Sequence, residues 1–179
     1  MADGQTTRSW IGRLVFVSLS LAVLFLRMLP ISTMPVTIAP PDLLLLVTVV
    51  WVVRRPDLAP ISLIVLIHFT ADMFMQRPPG LMTALTVLGT EVLRRRAPDL
   101  RALSFPIEWA TVTAFLVGLT VAYRVVLKLT LLPQAPMMLT FSETAVTILA
   151  YPPVVLVAYL IFGVSRPAMG EVDDRGKRI

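Results

Sequence analysis

Six charged side chains stand inside or at the edges of long apolar runs: Arg27, Asp42, Asp72, Arg124, Lys128 and Glu143. A charge in a bilayer is costly and marks either a function or an internal ion pair. Alternating run directions place these six, with Arg77, in one layer near the outer membrane surface. Two meanings stay open. The charges pair with each other or snorkel to lipid headgroups, or they line a polar cavity that opens outward and takes a ligand or a partner's charge. His68 and Asp72 are four residues apart and share a helix face. Such a pair serves as a proton relay or as a satisfied polar contact between helices; Asp72 can equally pair with Arg77 or Arg27. Arg124 and Lys128 also share a face, and two like charges there call for something anionic: lipid phosphate, Glu143 or an acidic partner.

Covalent and metal chemistry are excluded more firmly. The chain has no Cys and a single His, so it can build neither a disulfide, a thiolate site nor a multi-histidine zinc site. It carries no G-x-S-x-G, no H-E-x-x-H and no phosphate-binding glycine loop. Serines such as Ser18, Ser20 and Ser62 sit on apolar runs without a base. No catalytic, cofactor-binding or metal-ligating residue is expected.

The elements that must position these residues are membrane helices. The 179 residues are 56% hydrophobic and 15% charged, with a mean hydropathy of +0.81. Ordinary soluble domains are about 45–50% apolar and about 25% charged, which excludes a soluble enzyme, a disordered chain or a secreted disulfide scaffold. A spanning helix needs about 20 apolar residues. Six runs qualify, at about 10–29, 41–53, 58–75, 80–93, 106–131 and 141–164. The second and fourth are short, so each either crosses with borrowed flanks or re-enters. Basic residues decide the orientation. Twelve of the 16 Lys and Arg fall in the terminal segments and alternate loops of one side, one (Arg77) falls on the other, and Arg27, Arg124 and Lys128 lie within runs. The positive-inside rule then puts both termini in the cytoplasm and supports six crossings. The first run has no small-x-small cleavage site after Arg27, so it is expected to stay as a span. The expected fold class is an all-α membrane protein: a six-transmembrane-helix bundle over residues 1–165 and a flexible cytoplasmic tail over 166–179. The outward loops, about 4 to 11 residues long, offer little cover for a cavity.

Three further features concern packing. Ala110, Ala114, Gly118 and Ala122 recur every four residues in the fifth run, a ladder that lets another helix approach closely, from this chain or another. Tyr151-Pro152-Pro153 sits midway in the sixth run and predicts a bend or break, because proline lacks an amide and its ring opposes the preceding turn. Arg94, Arg95, Arg96 and Arg101 form a basic inner loop suited to anionic lipid. The net charge of +5 is mainly an orientation signal. Nucleic acid is not an expected partner, since no aromatic residues interleave the basic patch.

The chain resembles the MreD family of bacterial rod shape-determining membrane proteins. The resemblance lies in Ala39-Pro40-Pro41-Asp42 followed by Leu43 to Leu46 and Trp51, and in Ala71-Asp72-Met73-Phe74 with Pro79-Gly80-Leu81. It rests on Pro41, Asp42, Asp72 and Gly80, on the short-looped spans and on the position of the Arg94 to Arg96 cluster. Ile67 and His68 depart from it, standing where glycines would be expected. The resemblance implies a compact fold similar to the substrate-binding component of energy-coupling-factor transporters. It also implies a non-enzymatic scaffold in the bacterial inner membrane that binds an MreC-type single-span protein. RodA, penicillin-binding-protein synthases and MreB would belong to the same elongation complex. The alternative function is the substrate-binding membrane component of a transporter for a vitamin or lipid.

Overall fold

The structure, a computed structural model, describes residues 2–29 and 38–162. The expected tail at 166–179 and most of the expected first outer loop lie outside the described residues. Six helices follow one another: α1 (Ala2–Met28), α2 (Leu43–Arg54), α3 (Ile61–Phe74), α4 (Leu81–Ala102), α5 (Phe105–Leu129) and α6 (Met137–Phe162). There is no strand among the described residues. Three segments, Ser9–Met28, Phe105–Leu129 and Met137–Phe162, are long and apolar enough to cross a membrane.

The centre of the bundle is α2. Its 12 residues, LLLLVTVVWVVR, are apolar on every side, and Leu44 through Arg54 are all buried. A helix apolar all round belongs inside a core. At 1.5 Å per residue it is about 18 Å long, short of the roughly 30 Å hydrocarbon layer. It is therefore enclosed by protein. It packs against α1, α4 and α6, with the Trp51 ring 6.0 Å from Phe16 and 6.0 Å from Phe162. Both ends of α2 carry a charge, Asp42 before its first turn and Arg54 in its last, each complementing the helix dipole.

The basic segment Arg94–Arg96 is helical, where the charge pattern predicts a loop. Helix α4 runs on to Ala102, because Arg, Ala and Leu favour a helix and Glu91 pairs along it with Arg94 (3.6 Å) and Arg95 (3.1 Å). Arg94 also donates to the carbonyls of Pro56 (2.7 Å) and Ala59 (2.5 Å), tying the α2–α3 turn to α4.

Pro152 and Pro153 do not break α6, which is continuous from Met137 to Phe162. Pro152 has no N–H for the carbonyl four residues back, that of Ile148. The Trp109 indole N–H of α5 donates to that carbonyl at 3.0 Å. A foreign donor thus replaces the missing rung and fastens α5 to α6. Trp109→Phe keeps an aromatic ring and removes the donor, so it is expected to lower stability by about 1–3 kcal/mol. Thermal unfolding in detergent measures this.

The small-residue ladder faces away from the bundle. Helix α5 buries Glu108, Val112, Leu116, Leu119 and Leu127, whereas Ala110, Ala114 and Gly118 are exposed and Ala122 is half-buried. Nothing lies within 4 Å of a Cβ built at Gly118. The strip therefore receives no helix of the described chain. The close approach of α4 to α5 occurs instead at Gly89, where an added Cβ would strike the Phe115 ring.

Candidate functional site: a charged layer beside a cavity

At the Asp42 end of the bundle, four elements converge on one residue. Pro40 and Pro41 stiffen the approach to α2, and Asp42 caps it, its Oδ1 accepting from the Leu45 amide at 3.2 Å. The same carboxylate meets Arg27 of α1 at 3.0 Å and Arg77 of the α3–α4 loop at 3.9 Å. The Asp42 backbone amide donates to Thr147 Oγ1 of α6 at 2.9 Å. Arg27 in turn holds Glu143 of α6 at 2.7 Å. The segment before α2 is pinned once more where the Ala39 amide donates to Ser142 Oγ at 3.1 Å.

The expected layer is thus assembled in part. Arg27, Asp42 and Glu143 form one network with Arg77. Asp72 does not join it through a cation. Its Oδ2 accepts from the Thr83 amide at 3.1 Å and the Thr83 hydroxyl at 2.8 Å. Gly80 opens α4 with φ +80° and no side-chain cap, a backbone form that suits glycine. Asp72 on α3 supplies the missing capping carboxylate from the neighbouring helix. His68 turns to α2, its Nε2 lying 3.0 Å from Thr48 Oγ1. His68 and Asp72 therefore have separate partners, and the histidine makes a polar link between helices.

Arg124 stands near the layer but bonds to neutral oxygens, Thr140 Oγ1 at 2.6 Å and the Ala135 carbonyl at 3.2 Å. Lys128 is exposed and outside the network. Between α5, α6 and the ends of α2 and α4 lies a cavity of about 280 Å³. Asp42, Arg77, Arg124 and Glu143 contribute to its wall, and Pro133, Gln134 and Ala135 of the α5–α6 loop cover one side. The short α5–α6 loop does provide cover, contrary to the expectation from its length. It folds back because Leu131 takes φ +54°, the Leu132 amide returns to the Leu127 carbonyl at 3.0 Å, and Gln134 donates to the Arg124 carbonyl at 3.3 Å.

No family model, curated protein or solved structure matches this chain. Among the described residues no group of His, Asp and Glu is arranged to hold a metal ion. What the wall offers is two cations, two carboxylates and several hydroxyls beside apolar side chains.

A second ionic cluster lies at the other end of α2, where sequence reasoning placed no site. Glu108, fully buried at 0% exposure, accepts from Arg54 at 2.9 Å and from the Tyr151 hydroxyl at 2.8 Å. The Tyr151 ring stacks on Phe105 with centroids 6.3 Å apart. A signal exists in the sequence: an acidic residue at the start of an apolar helix and a basic one at the end of another.

Proposed function

We propose that the chain is a non-enzymatic scaffold of the bacterial cell-elongation complex, an MreD-like protein of the inner membrane. In this reading the three long helices span the bilayer, the shorter α2 and α3 complete their passes with flanking segments, and both termini lie in the cytoplasm. It binds an MreC-type single-span protein, with RodA, penicillin-binding-protein synthases and MreB in the same assembly. One observation carries the reading: the residues of the resemblance are the ones that close the Asp42 end of the bundle. Asp42 joins α1, α2 and α6, and Asp72 caps the helix that Gly80 opens. The resemblance thus falls on the residues that build the framework. The unequal distribution of the 16 basic residues supports the orientation.

The experiment is purification of the tagged chain from its native membrane, with deletion of its gene alongside. An MreC-type protein is expected to co-purify, and cells without the chain are expected to round up. Normal rods after clean deletion, with no such partner recovered, would overturn the proposal. The α5 strip is the first face to vary. Because space beside Gly118 is empty, Gly118→Leu is expected to fold, with stability unchanged or raised by up to about 1 kcal/mol, and to reduce partner recovery.

A further inference from the structure

We propose that the cavity beside Arg124 binds a small amphiphilic anion: a carboxylate or phosphate group carrying a short apolar chain. The inference rests on the cavity and not on the scaffold reading. Charge is the first observation. The wall itself carries Arg77 and Arg124 against Asp42 and Glu143, and Arg27 stands behind the two carboxylates, so Arg124 is left without a carboxylate of its own among the described residues. Arg27 engages both carboxylates, at 3.0 and 2.7 Å, while Arg77 reaches Asp42 only at 3.9 Å. Arg124 meets neutral oxygens, and its guanidinium has five N–H donors. A cation in a partly dehydrated wall gains most from an anion.

The wall is also divided by chemistry. Thr120, Thr140, Thr144 and Gln134 add hydroxyl and amide groups near Arg124, and Leu116, Leu119 and Leu127 add an apolar side. A convergent polar group against an apolar surface is the usual make-up of a ligand site, and about 280 Å³ is near the small end of the roughly 300–1,000 Å³ range. The volume suits a small organic anion, or the headgroup and first carbons of an anionic lipid.

The test is thermal unfolding of the full chain in dodecyl maltoside. It is titrated separately with octanoate, octyl phosphate, octanol and inorganic phosphate. The two alkyl anions are expected to raise the melting temperature saturably. Octanol, which lacks the charge, and inorganic phosphate, which lacks the chain, are expected to do so far less. Arg124→Gln should weaken octyl phosphate by roughly tenfold to a hundredfold, the range of a hydrogen bond to a charged group. Arg96→Gln, exposed at the other end of the bundle, should bind as the parent does. If Arg124→Gln does not fold, Thr144→Phe fills the cavity without altering charge and is expected to abolish the shift. Equal stabilisation by octanol, or an unchanged shift in the folded cavity variants, would overturn the proposal. Phosphatidylglycerol is then added against octyl phosphate. Competition by it, and not by phosphatidylcholine, identifies a bilayer lipid as the source of the anion. Failure of both lipids to compete identifies a soluble one.

Discussion

Replacing Glu108 with leucine is expected to cost about 3–5 kcal/mol, the range for removing one partner of a buried ion pair. Glu108 is fully buried and the Arg54 side chain is 9% exposed. Leucine leaves the guanidinium inside the bundle without its carboxylate and removes the acceptor of the Tyr151 hydroxyl. Glu108→Gln should cost less, because an amide oxygen still accepts while the charge goes uncompensated. The double variant Arg54→Met with Glu108→Leu is expected to recover most of the loss, since apolar residues of similar volume replace such pairs at little cost. The cycle read from melting in detergent should therefore be strongly non-additive. Single variants that each cost under about 1 kcal/mol and simply add would show the pair to be well hydrated.

The two ionic clusters share a cause in the length of α2. A helix of about 18 Å ends well inside a bundle built from α1, α5 and α6, each of 25 to 27 residues. Its terminal charges therefore lie among neighbouring helices rather than in water. Each needs a partner from the surrounding ring: Arg27 of α1 at one end, Glu108 of α5 at the other. The enclosed helix is held at both ends by polar contacts and between them by apolar packing, to which Thr48 adds its link to His68. This leaves the outer faces of α5 and α6 without structural duties toward the bundle.

The three long helices are legible in the sequence because an apolar run near membrane length matches the thickness of a bilayer and little else. The meeting of Arg27, Asp42 and Glu143 is legible because alternating direction assigns each to one layer. Asp72 misleads because charge-matching points to a cation, and its partner is Thr83, a neutral residue across a turn. Glu108 escapes notice because the first turn of a spanning helix reads as interfacial, and Arg54 because it borders a loop that holds Arg55. Only the enclosure of α2 brings them together. The spacing of Ala110, Ala114 and Gly118 is plain, but spacing does not select a face on a helix that is apolar nearly all round. Pro152 is visible as a lost rung, whereas the indole of Trp109 that fills it comes from another helix.

Asp42→Ala is expected to be the most damaging change at the Asp42 end of α2, at roughly 2–4 kcal/mol. Loss of the cap contributes about 1 kcal/mol. Loss of the largely buried ion pair with Arg27 at 3.0 Å contributes about 1–3 kcal/mol. The total stays below that of Glu108→Leu because Arg27 keeps Glu143 at 2.7 Å and is not stranded. Asp42→Asn retains a capping oxygen and should lose only the charge part, so its cost falls between that of alanine and the parent. Glu143→Gln should cost least, about 1 kcal/mol or less, because its side chain is 31% exposed and a hydrated pair is worth little. The decisive readout from melting in detergent is the order of cost: Asp42→Ala, then Asp42→Asn, then Glu143→Gln. Were Glu143→Gln as damaging as Asp42→Ala, the anchor of Arg27 would be α6 and not the start of α2. The segment from Ala39 to Asp42 would then be held mainly by Ser142 and Thr147, and variants of those two hydroxyls would become the severe ones.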